Sequence, residues 1–139
     1  MIVLDTNVVS ELVRPTPEPS VVAWLEGVTD EVALTAITVA ELLAGLALLP
    51  DGRRSDGLDA AARHALEPYR GSRAILPFDA EAAGEHAEVL GAHTRSGSPI
   101  SSADAQIAAV CRVHDATLAT RNTKDFEGTG VQLVNPWIA

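Results

Sequence analysis

The chain has 139 residues, 47% hydrophobic and 4% aromatic, with a single cysteine and a formal net charge of −9. That length and apolar content can build one core-bearing domain, residues 1–139, without disulfide or zinc staples, and Cys111 alone excludes an internal disulfide. The negative charge argues against nonspecific polyanion binding as the main task, and abundant Ala, Leu and Val with few aromatics favour an α/β fold over a β-sandwich.

In chain order, Ile2 to Leu4 reads as a buried strand, Val8 to Val13 as a short helix, and the Pro-rich stretch after Arg14 as a stiff connector. A helix is expected from about Pro19 to Gly27 and a second strand over Val32 to Ile37. Thr38 is expected to cap an apolar helix reaching about Leu49. Arg53 to Arg70 reads as helical, Ala74 to Leu76 as a short strand, and Asp79 as the cap of a long helix through Gly91 and His93. After the break at Gly97, a helix over Ser102 to His114, a strand over Thr117 to Thr120 and a closing strand over Val131 to Val134 complete the pattern.

Short apolar strands alternating with helices predict a small parallel sheet covered on both faces, whose carboxyl edge is where function gathers. The apolar stretch Val32 to Leu49 approaches the length of a membrane span, but Glu41 near its middle and the threonines at its start argue against one. No basic stretch precedes an apolar leader at the N-terminus, and with the unpaired cysteine this leads us to expect a cytoplasmic protein.

Four carboxylates stand out. Asp5 ends the first strand, where a helix cap would also account for it. Glu41 is the only charged residue between Glu31 and Asp51, and the apolar helix around it leads us to expect a largely buried carboxylate that must protonate or find a cation. Asp104 opens a helix, where Ser101 and Asp104 have the spacing of a capping box. Asp125 follows the strand over Thr117 to Thr120, and a loop aspartate is the ordinary alternative. Were the four to converge, pairs about 4 Å apart would repel by roughly 4 kcal/mol at an effective dielectric of about 20. A hard divalent ion, Mg²⁺ or Mn²⁺, resolves that repulsion with all-oxygen ligands and is suited to phosphodiester hydrolysis.

Other residues carry less. Arg53, Arg54, Arg63, Arg70 and Arg73 form either a positive rim beside an acidic centre or a solvated helix face. His64, His86, His93 and His114 lack metal-ligand spacing, and Trp24 and Trp137 read as packing residues outside the site.

The stretches VLDTNVVSEL, TAITVAELLAG, ISSADAQIAAV and LATRNTKDFEGTGV, closed by NPW, cover almost the whole chain in order. With them the sequence resembles the PIN-domain ribonucleases, and among these the VapC-type toxins of toxin–antitoxin modules, close to the FitB-like branch. The resemblance implies a PIN fold in which Asp5, Glu41, Asp104 and Asp125 hold Mg²⁺ or Mn²⁺ and Thr6, Asn7 and Asn122 orient them. It further implies RNA cleavage, a homodimer, a cognate VapB-type antitoxin that blocks the site with an arginine, and promoter DNA bound only through that antitoxin. The competing expectations are a PIN-fold binding module without nuclease activity and a Mg²⁺-dependent phosphoryl-transfer domain such as a receiver or a dehalogenase-like fold.

Overall fold

A computed structural model describes residues 1–70 and 74–139. Five strands form one sheet in the order β3-β2-β1-β4-β5: β1 (Ile2–Leu4), β2 (Val32–Thr35), β3 (Ile75–Leu76), β4 (Thr117–Ala119) and β5 (Gln132–Val134). Every neighbouring pair is parallel, as crossovers through helices require. The helices are α1 (Thr6–Leu12), α2 (Pro19–Glu26), α3 (Ala36–Ala47), α4 (Arg53–Leu66), α5 (Ala80–Ser96) and α6 (Ser102–Val113), with 3-10 turns at Glu67–Tyr69 and Thr123–Phe126.

Strand side chains alternate between faces, and the sheet divides the core accordingly. Val3, Ala33 and Leu118 point to one face, where Ala82 of α5 and Ile107, Ala108 and Cys111 of α6 cover them. Leu4, Leu34 and Ala119 point to the other, against Val8 of α1, Val21 of α2, Leu42 of α3 and Leu66 of α4. Burial pushes the Cys111 thiol up to about 12, so it is packing and not a nucleophile at neutral pH.

The expected elements recur with shifts at their ends. The second strand stops at Thr35, and it is Thr35, rather than Thr38, that caps α3: its hydroxyl accepts from the Thr38 N–H at 3.0 Å. A threonine with extended backbone directly before the first helical residue satisfies an orphan N–H, whereas Thr38 already lies in the first turn. The membrane alternative for Val32 to Leu49 fails because the stretch splits into β2 and α3, and among the described residues no helix is long and apolar enough to cross a membrane. Asp79 and Ser101 cap α5 and α6 through their side chains. Gly97 ends α5 at φ 70°, a left-handed position that favours glycine.

Candidate functional site

β1 is the central strand, so whatever follows it is flanked by the ends of β2 and β4. The register Leu4↔Ala119 sets Asp5 beside Thr120, and the Asp5 N–H donates to the Ala119 carbonyl at 2.9 Å. Asp5 is 4% exposed and does cap α1, with Oδ1 accepting from the Thr6 N–H at 2.9 Å. Its other oxygen accepts from the Thr120 hydroxyl at 2.7 Å and from Asn7 Nδ2 at 3.2 Å. Capping therefore occupies one oxygen, and Thr120 and Asn7 hold the other. Burial pushes the Asp5 carboxyl above its ordinary value; the Thr120 and Thr6 hydrogen bonds oppose this, Glu41 adds to it, and Asn7 opposes it.

Glu41 corrects the sequence reading: it is exposed. The apolar helix around it is not enclosed, since only Thr38 and Leu42 of α3 are buried, and Leu48 just beyond is 86% exposed. The carboxylate is nonetheless held at the site, because the Thr6 hydroxyl donates to Oε1 at 2.7 Å. Thr6 thus bridges α1 and α3.

Asp104 sits half-buried in the first turn of α6. Burial raises its carboxyl, Ser101 opposes this, and the charges of Asp5, Asp125 and Glu41 raise it further. The four acids therefore share one electrostatic neighbourhood. Asp125 stands exposed on the 3-10 turn after β4, whose backbone is tied inward by the Asn122 N–H donating to the Thr120 hydroxyl at 3.1 Å.

Asp5, Thr6, Asn7, Glu41, Asp104 and Asn122 line one open cleft of about 550 Å³, while Asp125 lies outside its wall. Among the described residues, none of the four acids is in an ion pair. Nor do any three His, Cys, Asp or Glu side chains gather closely enough to hold a metal ion without turning. The donor set is nevertheless all oxygen and uncompensated, a chemistry that suits a hard divalent cation.

Several residues in or behind the cleft escaped the sequence reading. Thr120, buried at the end of β4, is the hub joining Asp5, Asn7 and Asn122. Glu11 is 6% exposed and is neutralised by Arg14 at 2.9 Å; it also accepts from the Glu18 N–H at 3.2 Å, so it pins the proline-rich connector. Trp137, expected outside the site, lines the cleft with the Arg121 guanidinium over its ring at 5.0 Å. Of the expected positive rim, Arg53 and Arg54 join Arg14 along a neighbouring groove of about 920 Å³, while Arg63 pairs with Asp59 on the surface. Arg73 lies outside the described residues. His93, as expected, is not in the cleft. Its ring nitrogens stand 3.0 Å from the Val89 carbonyl and 3.1 Å from the Glu127 carbonyl, tying α5 to the segment after Asp125.

Fold and cleft together define an α/β protein with an acidic, oxygen-donor site at the carboxyl edge of a parallel sheet. The sequence pattern of the PIN domain matches residues 2–131. Toxin FitB of Neisseria gonorrhoeae is 43% identical over 138 residues, covering 99% of each chain. VapC ribonuclease Y4jK of Sinorhizobium fredii is 41% identical over 138 residues, covering 99% of this chain and 98% of that protein. The crystal structure of FitAcB from N. gonorrhoeae contains a chain matching at TM-score 0.90 and 41% identity over the full length of both. VapBC2 from Rickettsia felis, bound to a DNA fragment from its promoter, matches at TM-score 0.81 and 25% identity over 97% of this chain and 98% of that one. The chain belongs to the PIN-domain family, in the group that includes toxin FitB and the VapC ribonuclease.

Proposed function

We propose that this protein, residues 1–139 acting as one unit, is a metal-dependent endoribonuclease and the toxin of a type II toxin–antitoxin pair. The observation that carries this reading is the set of unpaired carboxylates Asp5, Glu41 and Asp104 around one cleft, with Asp125 close enough to act on Asp104 electrostatically. Similarity to a protein named a VapC ribonuclease supports the activity.

Asp5, Glu41, Asp104 and Asp125 would hold Mg²⁺ or Mn²⁺. Such an ion, when bound, supplies the positive charge that acidifies an attacking water and neutralises the phosphate. The chain's own residues do the orienting. Thr120, Asn7 and the Thr6 N–H fix the Asp5 carboxylate in one rotamer; the Thr6 hydroxyl holds Glu41; Asn122 lines the cleft and its N–H donates to Thr120. Among the described residues no ion pair compensates Asp5, Glu41 or Asp104, a shortage of positive charge that a cation or an arginine would relieve.

That shortage also supports a cognate VapB-type antitoxin delivering an arginine. The groove beside the cleft, lined by Leu12, Val13, Pro15, Leu58 and Ala61, shares Arg14 with the cleft, so a segment lying in it leads to the acids. The net charge of −9 favours a basic partner and leaves promoter DNA to that partner. Relatives of known structure are complexes named FitAB and VapBC, some bound to DNA. A homodimer is what the family resemblance implies, and a cytoplasmic location fits an RNA substrate.

The test is cleavage of labelled RNA by the purified chain in Mg²⁺, Mn²⁺ or EDTA. Cation-dependent cutting lost in Asp5→Asn and Asp104→Asn supports the reading. No cutting by folded wild type across varied RNAs points to the binding module, which the open spacing of the acids favours.

A further inference from the structure

Two cations line the acidic cleft, Arg14 and Arg121. Arg14 is spent on Glu11, with both carboxylate oxygens accepting from it. Arg121 differs: among the described residues it is in no ion pair, although carboxylates line the same cleft. Its guanidinium lies over the Trp137 ring at 5.0 Å, and its backbone N–H donates to Asn7 Oδ1 at 3.2 Å. Trp137 is itself held, since its backbone N–H donates to Asn135 Oδ1 at 2.9 Å and its side chain packs against the core cluster around Leu4. The pairing follows from topology. β4 and β5 run parallel in the register Ala119↔Val134, so Arg121 and Trp137, two and three residues further on, emerge at the same edge of the sheet.

An exposed arginine ordinarily gives up rotamer freedom to bind an anion. Here the indole face holds the guanidinium through a cation–π contact that uses none of its N–H donors. A planar cation is thus pre-placed beside carboxylates that would otherwise repel a polyanion. From this geometry we propose that Arg121, positioned by Trp137, is a subsite for a backbone phosphate of the RNA strand, next to the phosphate undergoing cleavage. Arg121 touches the substrate; Trp137 acts through it and is a positioning residue. The subsite rests on the ribonuclease reading for the identity of its ligand.

The experiment measures binding of a fluorescein-labelled single-stranded RNA by anisotropy at several salt concentrations, alongside kcat and KM for its cleavage in Mn²⁺. Arg121→Gln is expected to weaken binding and raise KM by roughly tenfold, to leave kcat within about twofold, and to reduce the salt slope by about 0.7, one single-strand phosphate contact. Trp137→Leu should weaken binding in the same direction, with Arg121→Gln adding little on top of it, while Trp137→Phe, which keeps an aromatic face, should restore most of the affinity. Circular dichroism confirms that each variant is folded. An unchanged KM and salt slope in Arg121→Gln overturns the subsite even if wild type cuts RNA. A loss confined to kcat overturns it too, because the group would then act at the reacting phosphate. If wild type binds RNA with an Arg121-dependent slope but never cuts, the subsite stands and the nuclease reading falls; if it neither binds nor cuts, both fall.

Discussion

Replacing Thr120 with Val keeps the shape of the side chain and removes the hydroxyl that donates to Asp5 at 2.7 Å and accepts from Asn122 N–H at 3.1 Å. A hydrogen bond to a charged group contributes about 1.5–3 kcal/mol, and one to a neutral partner about 0.5–1.5 kcal/mol. Asn122 is an exposed residue whose N–H can regain water, and the Asn7 Nδ2 contact to the same hydroxyl is long at 3.3 Å, so most of the loss falls on Asp5. At neutral pH Thr120→Val should therefore cost about 1.5–3 kcal/mol, lowering Tm by an order of 5–10 °C for a domain of this size. The cost should also depend on pH. With Asp5 ionised the variant loses the charge-assisted bond; with Asp5 protonated only a neutral bond is lost. Urea unfolding of both proteins from about pH 4 to about pH 8 measures the gap, which should narrow toward acid. A cost that is the same at every pH would refute a hydroxyl bonded to an ionising carboxylate, and no cost at all would refute the contact.

Asp5 and Asp104 both have carboxyls raised by burial, so the native protein binds protons more tightly than the unfolded chain. Their contribution is fully present below about pH 3.8 and is lost as pH rises through the folded-state values. Asp104→Asn should thus be more stable than wild type at neutral pH without cations, match it in strong acid, and respond less to added Mn²⁺, as thermal melts across pH will show. Glu41→Gln, at an exposed position, should shift stability by no more than about 0.5 kcal/mol while reducing Mn²⁺-dependent RNA cleavage at least about tenfold; a stability change of several kcal/mol by urea unfolding would restore the buried-acid reading. His93→Leu breaks the contacts with the Val89 and Glu127 carbonyls and should cost about 1–3 kcal/mol, with hydrogen exchange faster in residues 123–130 than elsewhere.

The sheet was readable because its strands are short apolar runs bounded by polar caps, and the carboxyl-edge rule for parallel sheets then located Asp5 without reference to any partner residue. Helix ends were less readable where two capping residues compete: Thr35 and Thr38 are chemically equivalent, and only the backbone at β2 decides between them. Glu41 misled for a different reason. An apolar helix reads as buried whether its cover is the chain's own core or another protein, and here the chain leaves much of α3 and Leu48 uncovered. Arg121 and Trp137 fall in the stretches LATRNTKDFEGTGV and NPW, but nothing in either stretch pairs the two side chains. They stand 16 positions apart along the chain, and only the β4–β5 pairing brings them together.

If the carboxylates of the cleft take a divalent cation, as proposed, calorimetric titration of Mn²⁺ into the purified chain, beside Asp5→Asn and Asp104→Asn, reads that binding without any RNA. Saturable binding in wild type that both substitutions weaken by at least about tenfold is the predicted result. Absence of binding to folded wild type, or binding that both variants retain unchanged, would contradict it.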